Sequence, residues 1–139
     1  MHIFDNSVHY NDYQQLEDME NVHFHPWSFE GSSKITNARQ YMTLQETIEA
    51  LGHKKRVIDI FKIDCEKCEW DSYNDWFTSD VVMMQILVEV HGSPPEANSF
   101  FETMQKLNYV TFHKEPNTQF GLGTCQAYSF LKLAPDFFS

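Results

Sequence analysis

Three carboxylates crowd into one short stretch, Asp64-Cys65-Glu66-Lys67-Cys68-Glu69, and a fourth, Glu89, precedes His91 by two positions. Carboxylates gathered this way can take a proton from a hydroxyl, or hold a divalent cation that promotes the same step. Histidine titrates near neutrality and suits the role of general base. Asp64, Glu66 and His91 are therefore the catalytic candidates. A structural account competes for two of them. Glu66 and Glu69 lie before and at the start of an expected helix, where negative charge is favoured by the dipole, and His91 can equally be satisfied by its neighbours. Cys65 and Cys68 form a C-x-x-C pair, but zinc takes four ligands and only Cys125 remains. A thioredoxin-like motif needs its own strand-and-helix context. The pair reads as buried structural thiols.

These residues need elements to position them. Val57, Ile58, Ile60, Phe61 and Ile63 form an alternating apolar run at the length of a buried strand, ending abruptly on Asp64. A helix from about Asp71 to Thr78 should follow. Residues 84–90 lie in the most apolar run and read as a central strand ending at Glu89 and His91. Alternate residues share a face of a strand, so those two both face the ligand edge. Gly92-Ser93-Pro94-Pro95 breaks that strand and starts a helix, with proline in its first turn and Phe100, Phe101, Met104 and Leu107 on its buried face. Strands are expected at 109–113 and 126–133 with a polar connection at 115–124, and no helix separates them, so they should pair antiparallel.

Upstream, residues 2–5 and 22–29 read as strands, 11–19 as a short helix and 30–37 as a loop rich in Gly, Ser and Asn. Thr43 and Glu46 form a capping box for a helix carrying Leu44, Ile48 and Leu51, with Gly52 as its stop. Alternating strands and helices closed by a hairpin give an α/β fold with a mostly parallel sheet and helices on both faces.

The chain has 139 residues, 42% hydrophobic and 15% aromatic, which suits one domain spanning 1–139 with a real core. Its formal net charge of −10 repels phosphate backbones and argues against nucleic-acid binding. There is no apolar run of about 18 residues and no signal-peptide pattern, so no membrane segment is expected and a cytoplasmic setting is the default.

The wording of 62–70, Lys62-Ile63-Asp64-Cys65-Glu66-Lys67-Cys68-Glu69-Trp70, resembles the fourth strand and following turn of FkbM-type S-adenosylmethionine-dependent methyltransferases. The branch it is most similar to reads roughly KIDCEGCEW. NVHFHPWSF at 21–29, QILVEVHG at 85–92, FHKEPN at 112–117 and CQAYSFLKL at 125–133 extend the resemblance along the chain. It implies a Rossmann-like class I methyltransferase sheet of strand order 3-2-1-4-5-7-6, S-adenosylmethionine as cofactor and a small alcohol or sugar as oxygen acceptor. It also implies that Asp5 accepts hydrogen bonds from the ribose hydroxyls. Trp27 and Ser28, beside His25, would then face the adenine, where an aromatic ring stacks. Lys67 departs from the family, which has glycine there; a positive φ at this position would strain lysine.

Matched by wording, the chain starts at strand 2, and strand 1 with its glycine-rich turn is missing. Gly121-Leu122-Gly123, between the last two strands, reads as a hairpin element rather than a cofactor loop. The expectation is an N-terminally incomplete domain whose sheet is opened at its centre. Two rivals stand beside the methyltransferase reading. One is a non-catalytic binding module of the same fold; the other is a carboxylate–histidine metal hydrolase using Asp64, Glu66 and His91.

Overall fold

A computed structural model describes residues 1–8, 19–37, 39–118 and 124–137. In chain order its elements are β1 (His2–Phe4), β2 (His23–His25), β3 (Trp27–Phe29), β4 (Lys34–Thr36), β5 (Arg39–Met42), α1 (Leu44–Ala50), β6 (Val57–Ile63), α2 (Cys68–Thr78), β7 (Val82–His91), α3 (Ala97–Lys106), β8 (Tyr109–Asn117) and β9 (Cys125–Lys132). The expected helix at 11–19, all but its last residue, and the Gly121–Gly123 segment lie outside the described residues.

The largest sheet has the order β6-β7-β9-β8. β6 and β7 run parallel, with Ile63 opposite Val88, while β9 is antiparallel to both of its neighbours. That order is the 4-5-7-6 that the resemblance implied for these segments. The expectation of a mostly parallel sheet is corrected: the described strands make three parallel and three antiparallel pairings. The row Phe61, Ile86 and Phe130 is buried, and α1, α2 and α3 all contribute to the cluster over it, through Ile48, Trp76 and Phe100 among others. Phe100 is the hub, meeting Trp70, Tyr73, Trp76 and Phe130 edge-on at 5.4–6.1 Å between ring centres, a favoured aromatic geometry. The adjacent row runs Ile60, Gln85 and Leu131, and Ile60 there is 57% exposed. So the described helices gather on one face, not on both.

β1 and β2 form a separate parallel pair, and no described strand joins them to β6. The pair is held by a stack of imidazoles. His2 Nδ1 lies 2.9 Å from His25 Nε2, and the His2 ring also meets His23 and His53. Burial, and the nearby His53, His25 and His23, push the His2 pKa down to about 4, so the ring is neutral at pH 7.

Local corrections have local causes. Pro26 cannot donate a ladder hydrogen bond, and the expected strand at 22–29 divides there into β2 and β3. Residues 30–37, expected as loop, contain β4, whose Ile35 pairs with Gln40 of β5. β8 runs on through Pro116 to Asn117 instead of stopping at His113; as an edge strand it tolerates a proline. Pro94 and Pro95 precede α3 rather than occupying its first turn. α1 follows expectation. Thr43 accepts from the Glu46 N–H, the Glu46 carboxylate accepts from Thr43 N at 2.9 Å, and Gly52 takes a φ of 66° just past the end.

Candidate active site at the carboxyl edge

Parallel pairing of β6 and β7 brings both carboxyl ends to one edge, so Asp64 and His91 arrive there together. β9 begins at the same edge, with Cys125 directly opposite His91, and β8 ends there with Asn117 opposite Cys125. The Gly92 N–H donates to the Thr124 carbonyl at 2.9 Å and pins the strand ends.

The turn between β6 and α2 shapes the rest. Cys65 and Cys68 are disulfide-bonded, which corrects the expectation of two structural thiols. Glu66 and Lys67 take left-handed φ values of 55° and 87°, a conformation that disfavours side chains with a Cβ. α2 then starts at Cys68, three residues before the expected Asp71, without a side-chain cap. Lys67 therefore sits where the resembling family has glycine, in a conformation that glycine adopts freely. Lys67→Gly is expected to raise unfolding free energy by about 1 kcal/mol, read as a higher urea midpoint with an unchanged slope.

The early helix start turns Glu69 inward. Its side chain is 1% exposed, and its Oε1 accepts from the His91 backbone N–H at 2.7 Å and from Nδ1 of the His91 ring at 2.9 Å. A carboxylate oxygen accepts, so the ring supplies the hydrogen at Nδ1 and the neutral ring keeps its lone pair on Nε2. The Trp70 indole donates to the His91 carbonyl at 2.8 Å, fixing the residue from its other side. The Cys65 sulfur lies 3.4 Å from Glu69 Oε2; as part of a disulfide it carries no proton to donate.

His91 Nε2 faces Asp64 Oδ1 at 3.7 Å and Glu66 Oε2 at 3.8 Å. The three catalytic candidates are thus brought together, at separations longer than a direct hydrogen bond. Asp64 is about half exposed. Burial raises its carboxyl above the usual range, and the charge of Glu89 adds to the rise. Glu89 accepts from Asn117 Nδ2 at 2.7 Å. A concavity of about 260 Å³ lies alongside, lined by Glu89, Glu115, Asn117 and Thr118.

The second group of candidates gathers elsewhere. Asp5 follows β1, and its Oδ1 accepts from the Ser7 N–H at 2.7 Å and the Ser7 hydroxyl at 2.6 Å. The Asn6 N–H donates to Ser28 Oγ at 3.2 Å, which sets Asp5 and Ser28 side by side. The Trp27 indole donates to Thr47 Oγ1 and lies against the His25 ring, 4.6 Å between centres. Asp5 and Ser28 are thus brought close through the Asn6–Ser28 contact, while Trp27, the preceding residue of β3, packs its ring on Phe4 and His25. Asp64, Glu66 and His91 gather at the carboxyl edge of the largest sheet.

Glu69, expected only as a helix-start acid, is the buried partner of His91, and Cys125, given no role by its spacing, stands opposite His91. The V-E-V-H spacing did place Glu89 and His91 on one side of β7. Glu69 carried no local signal, because its partner lies 22 residues away.

Residues 1–132 match a family model described as a methyltransferase domain. No curated protein and no solved structure gives a significant match.

Proposed function

This chain belongs to the methyltransferase-domain family, and from that premise we propose that it is an FkbM-type O-methyltransferase built on a Rossmann-like sheet. Membership carries methyl transfer as the general activity, with S-adenosylmethionine as the family's usual methyl donor and a small molecule as acceptor. The O-methyl chemistry, the hydroxyl-bearing sugar or small-alcohol acceptor and the residue roles are our reading.

The observation that carries it is the convergence of Asp64, Glu66 and His91 at one sheet edge, with Nε2 of a buried imidazole 3.7 Å from Asp64 Oδ1. Bound S-adenosylmethionine supplies a methyl group on a positively charged sulfur, open to in-line attack by an oxygen. The chain must align the acceptor hydroxyl and remove its proton. Asp64 is the base, at the strand end and open to solvent on one side. His91, held by Glu69, offers the Nε2 lone pair as acceptor to a second, neighbouring hydroxyl of the acceptor molecule, and Glu66, 90% exposed, stands at the rim. The neighbouring concavity, with its two carboxylates and Asn117, suits a ligand rich in hydroxyl groups.

For the cofactor, the donor set of Asp5, Ser28 and Trp27 fits the adenosine half. Ser7 engages Oδ1 of Asp5, leaving Oδ2 for ribose hydroxyls, and Trp27 offers a ring for stacking. The β6-β7-β9-β8 order supports the Rossmann-like assignment.

Calorimetric titration of the chain with S-adenosylmethionine tests the reading. Saturable heat that weakens in Asp5→Asn is expected. No heat at millimolar ligand would leave the fold as a binding module without its cofactor.

A further inference from the structure

Cys125, Glu89 and His91 converge at the sheet edge in a way the methyl-transfer reading does not require. One donor atom from each lies within 4.8 Å of the other two. Of the chain's three cysteines, two are tied to each other, so Cys125 is the single thiol, and it is buried.

We propose that Glu89, His91 and Cys125 bind a borderline divalent cation, zinc being the best match, with a fourth position left open beside Asp64. One thiolate, one imidazole and one carboxylate form a mixed donor set that suits zinc, whereas magnesium and calcium take oxygen ligands. Tetrahedral zinc bonds put neighbouring donor atoms about 3.3–3.6 Å apart. The observed spread is wider than that, so binding would draw the three donors together from strands whose register already sets them side by side. His91 and Cys125 are directly paired across β7 and β9, and Glu89 is two residues back on the same side of β7.

Two further observations point to a ligand. Nδ1 of His91 is engaged by the buried Glu69 carboxylate, so Nε2 is the available donor. Glu89 is held in turn by Asn117. Carboxylate-to-histidine and amide-to-carboxylate contacts of this kind orient metal ligands. Nε2 also stands 3.7 Å from Asp64 and 3.8 Å from Glu66, too far for hydrogen bonds yet suited to groups meeting around one ion. Three protein donors and one open position form the pattern of a reactive rather than a purely structural zinc site. Binding replaces the thiol hydrogen with a metal–sulfur bond and releases one proton, so affinity rises with pH. Bound zinc takes the Nε2 lone pair that the methyl-transfer reading gives to the acceptor, so in the metal-loaded chain an acceptor hydroxyl would occupy the open fourth position instead. Metal binding is read independently of methyl transfer.

The test uses the whole chain with its disulfide intact, stripped by chelator and titrated with cobalt(II), then with zinc. One equivalent of cobalt should bind with a thiolate charge-transfer band in the near ultraviolet, and one equivalent of zinc should remove it. Cys125→Ser should abolish the band. Glu89→Gln should weaken zinc at least tenfold, and Glu69→Gln, a positioning variant, roughly 10- to 100-fold, with circular dichroism reporting that each remains folded. Absence of the band, or wild-type zinc affinity in both Cys125→Ser and Glu89→Gln, overturns the proposal. So does loss of binding in His25→Ala alone, which would place the ion on the imidazole stack of β1 and β2.

Discussion

Asp64→Asn is expected to lower the turnover of methyl transfer by about 10²–10⁴-fold, the usual contribution of a positioned general base, while calorimetric binding of S-adenosylmethionine is unchanged. The expectation rests on placement. Asp64 is the first residue past β6, 3.7 Å from His91 Nε2, and its contacts do not include the Asp5, Trp27 and Ser28 group. An asparagine keeps the shape and loses the ability to accept a proton. The assay follows a labelled methyl group into a panel of sugars and small alcohols. A variant that transfers at the wild-type rate would remove Asp64 from the chemistry and leave it as a solvated strand end. Glu66→Gln should have a smaller effect, since its side chain is almost wholly in solvent.

The largest effect on stability belongs to Glu69→Ala. The substitution leaves the His91 backbone N–H and the Nδ1 hydrogen without their acceptor in a buried setting. Each such loss costs about 1–3 kcal/mol, so a total of about 2–6 kcal/mol is expected, with the middle of that range most representative. That is a large share of the roughly 5–15 kcal/mol that holds a domain together. For a chain of this length it corresponds to a fall in melting temperature of roughly 10 °C. Glu69→Gln retains an oxygen that can accept and should cost less. Equal melting of Glu69→Ala and the parent chain would show that the Glu69–His91 contact contributes nothing to stability.

Where the deciding interactions are local, the sequence could be read directly. The capping box of Thr43 and Glu46 involves four consecutive residues and was recoverable as written. The strand Val57–Ile63 and the antiparallel partners β8 and β9 followed from apolar alternation and the lack of an intervening helix. The meeting of Asp64, Glu66 and His91 needed one more step, the parallel pairing that puts two strand ends on one edge. Other features depend on partners that spacing does not reveal. Glu69 looked like a helix-start acid because nothing adjacent discloses His91. Cys65 and Cys68 looked like separate thiols because their bond depends on a turn through two left-handed residues, Glu66 and Lys67. The strand at Lys34–Thr36 was hidden in a Gly- and Ser-rich segment without apolar alternation, and Pro116 obscured the last residues of an edge strand that accepts it. The helices expected on both faces failed for a related reason: element order along the chain does not say which face a helix covers.

The measurement nearest to the central claim is a titration of isotopically labelled chain with S-adenosylmethionine, followed residue by residue by nuclear magnetic resonance. The account predicts saturable shifts of the Asp5 and Ser28 backbone signals and of the Trp27 indole N–H, joined by residues of the Asp64 turn and His91. No shifts at millimolar donor would contradict it, as would shifts confined to the separate concavity lined by Ile35, Tyr41 and Met42.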